Sequence, residues 1–169
     1  MNLRFSLLLL LLAGCVSVPR APQAADGAAP FPVAGFFTGR SEGQGVLRVM
    51  MQDARPVRVR SQGRVARNGE IVLSQHIEEE GKSARQREWR LRETAPGRFT
   101  GSLTEATGPV RGEVRGGRLL VSYRMRGGLD VSQTLTMLPG GRSVRNVLVV
   151  RKLGMPVAAL EETIIKVGP

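Results

Sequence analysis

Pro56-Val57-Arg58-Val59-Arg60-Ser61-Gln62-Gly63-Arg64-Val65 alternates without a break: Val57, Val59 and Val65 fall on one face, Arg58, Arg60, Gln62 and Arg64 on the other. A repeat of two is that of a β-strand with one side against a core and the other in water. The rhythm continues along the chain. Ile71, Leu73 and Ile77 are inward by the same rule, as are Trp89 and Leu91, then Phe99 and Leu103. Leu119, Val121, Tyr123 and Met125 follow, and then Leu129, Val131, Leu135 and Met137.

Between these runs stand Arg67-Asn68-Gly69, Gly81-Lys82, Pro96-Gly97, Gly108-Pro109, Gly116-Gly117, Gly127-Gly128, Pro139-Gly140-Gly141 and Gly154-Met155-Pro156. Each offers a positive or a fixed φ, as tight hairpins require. The spacing predicts an all-β, antiparallel up-and-down meander of about nine or ten strands. Open, it would leave unpaired edges, so a closed barrel is the expected architecture. Ser61, Gly63 and Gly101 on the inward face are small, and a barrel wider than eight strands lined this way should keep a cavity. Asn146 to Val150 is apolar on both faces, which suits either a well-buried strand or one lying under a covering segment. Thr163 to Val167 is expected as a final strand, although Leu160, Ile164 and Val167 would also fit a short helix with Glu161 and Glu162 in water.

The chain begins Met1-Asn2-Leu3-Arg4, continues in an apolar run from Phe5 to Leu12, and reaches Ala13-Gly14-Cys15. This is the layout of a secretory signal, and the run falls short of the ~20 residues that a spanning helix needs. Leu12-Ala13-Gly14-Cys15 resembles a lipobox, so residues 1–14 are expected to be removed and Cys15 to carry the lipid. Val16 rather than Asp follows it, which in the sorting rule of enteric bacteria favours the periplasmic leaflet of the outer membrane. Residues 15–34, with four prolines and many alanines, are expected to form a tether, and 35–169 the barrel domain.

Lys and Arg number 25 against 14 Asp and Glu, for a formal net charge of +11. A basic surface suits anionic partners. In the envelope these are lipid headgroups and other polyanions, and nucleic acid is not expected; an Arg-rich composition also follows from a GC-rich genome. With one Cys there is no disulfide or thiolate site in the mature domain. With one His, His76, beside Glu78-Glu79-Glu80 at a turn, neither a metal site nor a cofactor is expected. No Gly-x-Ser-x-Gly elbow exists, and acid–base chemistry would rest on carboxylates alone. The protein is therefore expected not to be an enzyme.

A set of residues spread across the domain carries a family likeness: Gly39 after Phe36-Phe37, Gly45-Val46, Glu80-Gly81, Arg87-Glu88-Trp89, Gly97-Arg98-Phe99-Thr100-Gly101, Gly108 and Gly112, Tyr123, Asn146, Lys152-x-Gly154 and Lys166. In order and spacing it resembles the bacterial lipoprotein family called domain of unknown function 3833. The resemblance implies a lipocalin-like barrel on an envelope lipid anchor and no established activity. Two positions depart from the family pattern: Thr136 to Gly140 replaces an Asp-Asp-Trp-Met stretch, and Gln75 stands where an acid is usual.

Arg87 and Trp89 share one face of their strand, and Gln75 and Glu79 share the inward face of the strand before it. An inward guanidinium needs an anion, since an unpaired buried charge is costly. Glu79 is the candidate partner, and the alternative is an arginine that waits for a ligand's carboxylate or phosphate, bracketed by Trp89 and Tyr123. Two functions follow. One is an outer-membrane-anchored barrel that binds a fatty acid or other amphiphile at Arg87, Trp89, Tyr123, Glu79 and Gln75. The other is a structural or assembly lipoprotein with a filled barrel and a basic interaction surface.

Overall fold

In a computed structural model that describes residues 16–168, a short helix α1 (Val33–Phe37) precedes ten strands. They are β1 (Gly39–Val49), β2 (Arg55–Val65), β3 (Ile71–Glu79), β4 (Arg85–Ala95) and β5 (Arg98–Leu103), followed by β6 (Val110–Arg115), β7 (Arg118–Met125), β8 (Leu129–Met137), β9 (Ser143–Lys152) and β10 (Met155–Gly168). Every strand pairs antiparallel with its neighbour in sequence, and β10 returns to pair with β1. Closure leaves no free edge, which is the expected solution for so many hairpin-linked strands.

The alternation of the β2 stretch is realised: Val57, Val59, Ser61 and Gly63 are buried and the arginines between them exposed. Val65 departs from it. It keeps the inward register but sits at the strand's end, 47 % exposed, beyond Gly63, where the pairing of β2 with β1 ends. The C-terminal alternative resolves as one strand of 14 residues from Met155. This strand pairs with both β9 and β1, so backbone hydrogen bonds on two sides outweigh the weak helical spacing. On β9, Val147 and Val149 point outward yet are buried, as the two-sided apolar run suggested.

One end of the barrel is plugged. Phe31, Phe36 and Phe37 are buried against one another, with Phe36 and Phe37 edge to face at 5.3 Å between ring centres. Lys166 Nζ donates to Gly35 O at 2.6 Å and ties α1 to β10. Phe31 and Val33 therefore belong to the core rather than to a linker. Upstream of them the expected tether lies against the barrel: Phe31 N–H donates to Gly116 O at 3.0 Å, and Thr136 Oγ1 donates to Pro22 O at 3.3 Å. Gly117 allows the approach, since a Cβ there would stand 3.0 Å from Ala28 Cβ. Apolar side chains in 16–34 can be buried on the wall, and that gain opposes the entropy of a free tether. Cys15 and the expected signal, residues 1–14, lie outside the described residues.

Candidate functional site

At the end opposite α1, the turns after β1, β3, β5, β7 and β9 surround a mouth. Two chambers are stacked inside. The outer one, of about 410 Å³, is bounded by Val49 and Met50 on β1 and its turn, Tyr123 and Val131, and Val150 with Val157. The inner one, of about 70 Å³, lies over the plug between Phe37, Trp89 and Ile164. Arg87, Leu148 and Leu160 line both chambers and form the waist between them.

The register of β3 and β4 sets Arg87 opposite Gln75 and Trp89 opposite Leu73, all inward. Trp89 Nε1 donates to Gln75 Oε1 at 2.8 Å, and Gln75 Nε2 donates to Ser61 Oγ at 3.1 Å on β2. This chain of bonds satisfies the indole N–H and fixes the ring. Tyr123 meets Trp89 edge to face, 5.6 Å between centres at 87°. Burial, its largest influence, pushes the Tyr123 phenol up to about 12, so it stays a neutral donor.

Arg87 does not pair with Glu79. Its Nε donates to Glu105 at 2.9 Å and 3.1 Å from the two carboxylate oxygens. Glu105 lies in the loop after β5, which folds back so that Ala106 bridges to Met125. Neither Nη of Arg87 has a hydrogen-bond partner among the described residues. Glu79, at the mouth end of β3, is already taken: Arg55 Nη2 reaches it at 2.8 Å, Lys82 Nζ at 3.2 Å and Arg85 Nη1 at 3.3 Å. Three cations around one carboxylate near the surface outcompete a fourth further down the barrel.

The inner chamber holds a polar group that strand alternation could have exposed but helical spacing concealed. Glu162, 5 % exposed, projects inward from β10 between Leu160 and Ile164, and accepts from Asn146 Nδ2 at 2.9 Å. It fits because Gly43 faces it, where a Cβ would fall 1.9 Å from Glu162 Oε1. Burial pushes the Glu162 carboxyl above its ordinary range, and the Asn146 hydrogen bond and the Arg87 charge only partly oppose this. Asn146 Oδ1 and Gln133 Oε1 are buried with no hydrogen-bond partner among the described residues. Such acceptors are costly unless a donor, from water or ligand, meets them.

Of the predicted set, Gln75, Arg87, Trp89 and Tyr123 come together inside the barrel, while Glu79 stands at the outer chamber's rim. Glu105, Gln133, Asn146 and Glu162 join them unforeseen. The site offers an apolar cleft with a guanidinium at its floor and the hydrogen-bonded Glu162–Asn146 pair beneath.

The family model described as protein of unknown function (DUF3833) matches residues 9–165. No curated protein matches the sequence. An S-type phycobiliprotein lyase from Guillardia theta has a similar structure, with a TM-score of 0.63 at 8 % identity over 81 % of this chain and 93 % of its own. A DUF3598-family protein of unknown function from Nostoc punctiforme gives 0.61 at 12 % identity, over 82 % of this chain and 50 % of its own, so the chain spans half of that protein. At these identities the likeness is one of fold, a lipocalin-like barrel.

Proposed function

This chain belongs to the DUF3833 family of proteins of unknown function, and from that premise and the barrel's interior we propose that it is a non-catalytic lipoprotein, anchored through Cys15 in the outer membrane and facing the periplasm, which holds a fatty acid or a related acidic amphiphile. The observation that carries this reading is Arg87 at the waist, with its Nε held by a loop carboxylate and both Nη nitrogens without a hydrogen-bond partner among the described residues. A ligand carboxylate meeting those nitrogens would gain charge-assisted bonds, and its chain would lie in the apolar outer chamber. That chamber's size, about 410 Å³, falls in the range ~300–1,000 Å³ typical of small-molecule sites.

The test is extraction of the purified protein, mass spectrometry of co-purifying lipid, and fatty-acid displacement followed through Trp89 fluorescence. An acidic amphiphile recovered at near one per protein is the expected result. Lipid-free protein whose Trp89 emission ignores fatty acids would overturn it. The anchor is tested separately: Cys15→Ala should lose all incorporation of a labelled fatty acid, and label that persists would defeat the assignment. One observation favours the second reading, a structural or assembly lipoprotein: the Arg87–Glu105 pair already gives the arginine an internal anion.

A further inference from the structure

Two residues at the mouth accept two costs at once. Met51 and Leu153 are the non-glycine residues with positive φ among the described residues, at 61° and 50°. They are also 91 % and 89 % exposed. A left-handed backbone is strained for any side chain with a Cβ, and Gly or Asn would relieve it. A polar side chain would remove the exposed apolar surface as well. Met155, 65 % exposed, adds to the same patch, whereas the exposed apolar residues away from the mouth, such as Ile165 at 49 % and Val65 at 47 %, are half-covered.

The two tips are neighbours. β10 lies between β1 and β9, Met50 N–H donates to Val157 O at 2.9 Å, and Met155 pairs with Lys152. The turns after β1 and β9 therefore project side by side, one strand apart, and Met50 continues from them into the outer chamber. Beside Leu153 the rim is basic. Arg124, Arg126, Arg151 and Lys152 stand against Asp130, which pairs with Arg124 at 3.0 Å. Arg126 and Lys152 are exposed and have no ion pair among the described residues. Besides Asp130, Asp53 and Glu80 are the exposed acids of the rim among the described residues, and both lie on the far side of Met51 from this sector.

We propose that the mouth docks on an anionic bilayer surface, with Met51, Leu153 and Met155 in the interfacial layer and Arg126 and Lys152 on headgroup phosphates. Protruding single tips suit a deformable layer of acyl chains better than a second folded surface, which would need a complementary hollow for each. Methionine's unbranched, polarizable side chain adapts to such a layer, and unpaired cations supply the charge complementarity. The path from the tips over Met50 into the barrel is apolar, so an acyl chain could pass between bilayer and chamber without crossing water. Docking goes beyond the binding reading and stands whether or not the barrel carries an amphiphile.

The test uses the full chain, in which Trp89 is the one tryptophan and is buried. Leu153→Trp puts a second indole at the mouth and Asn68→Trp puts one at the plugged end; Met155→Trp replaces the first should it fold poorly. With vesicles of brominated phosphatidylglycerol, Leu153→Trp should be quenched and blue-shifted, while Asn68→Trp should respond no more than the parent. Brominated phosphatidylcholine should quench Leu153→Trp far less, and Arg126→Glu with Lys152→Glu in that background should remove the response. The signal segment or a lipid chain brings both variants to the vesicle equally, so only orientation separates them. Quenching of Trp89 in the parent reports lipid inside the barrel and is subtracted, which keeps failure of docking distinct from failure of ligand binding. Equal quenching at the two ends, or none at Leu153→Trp, would overturn the proposal. So would a blue shift that grows with protein concentration in the absence of lipid, since it would show a second copy on the patch.

Discussion

Arg87 Nε lies 2.9 Å from Glu105 Oε1, and the carboxylate reaches it from a loop rather than from the barrel wall. Glu105 is 30 % exposed and Arg87 16 %, so water can solvate Glu105 when the pair opens. Arg87→Met should therefore cost only about 1 kcal/mol of stability, as for a partly solvated pair, rather than the ~3–5 kcal/mol typical of a buried one. Binding of an acidic amphiphile should fall by roughly one to two decades, the worth of one charge-assisted hydrogen bond. Glu105→Gln should tighten binding by removing the competing anion. Urea midpoints and Trp89-monitored titrations separate the effects, and a large stability loss with unchanged binding would assign the arginine to the fold.

Gly63 supports the plug. A Cβ there would fall 1.7 Å from Phe37 O and 3.1 Å from Leu73 Cδ1, and the nearer atom is backbone that cannot rotate away. Gly63→Ala should force α1 off the barrel end and cost ~1–3 kcal/mol, the range of an overpacked core. Faster hydrogen exchange confined to residues 31–38 would confirm the mechanism. Undisturbed exchange there would show that the closed end does not depend on this contact.

Glu79 should make the mouth sensitive to acid. Burial works to raise its pKa, but hydrogen bonds from Lys82 and Arg85 and the charge of Arg55 outweigh it and hold the carboxyl below its ordinary range. A folded pKa below the unfolded one means that the stabilisation is full above the unfolded carboxylate range and is lost as pH falls through the folded value. Glu79→Gln should therefore lower the urea midpoint at pH 7, by about 2 kcal/mol for a partly buried charged cluster. The two proteins should converge in strong acid. A constant difference between pH 7 and pH 2 would mean that packing, not charge, holds the three cations.

The wall was legible because burial on one face leaves a two-residue repeat that needs no tertiary knowledge, as in β2. Trp89, Gln75 and Arg87 followed from the same repeat. Glu105 did not, since a loop residue has no register and its approach to Arg87 depends on how the turn after β5 folds. The partner expected for Arg87 failed for a related reason: Glu79 shares its face, but alternation says nothing of depth, and Arg55, Lys82 and Arg85 meet Glu79 at the rim. Glu162 was legible in principle. It alternates with Leu160 and Ile164, and it was missed because a 3–4 spacing across the same residues left a helix open. The lie of 16–34 against the wall rests on hydrogen bonds to the Pro22 carbonyl and from the Phe31 N–H, which composition does not encode.

Glu162 allows the sharpest check on the interior, because its titration should run opposite to that of Glu79. Burial raises its pKa, with the Asn146 hydrogen bond and the Arg87 charge opposing. A carboxyl whose folded pKa lies above the unfolded one stabilises the fold fully below the unfolded range, and that contribution is lost as pH rises through the folded value. At neutral pH the residue is then a burden on stability. Glu162→Gln keeps an oxygen to accept from Asn146 Nδ2 and cannot ionise, so it should raise the urea midpoint at pH 7.5, by on the order of 1 kcal/mol. The gain should vanish near pH 4. In an Arg87→Met background the gain should grow, because the cation that eases ionisation of Glu162 is gone. Destabilisation by Glu162→Gln at pH 7.5 would instead mean that Glu162 is ionised and held by Arg87. The arginine would then have two internal anions, and no vacancy for a ligand's headgroup.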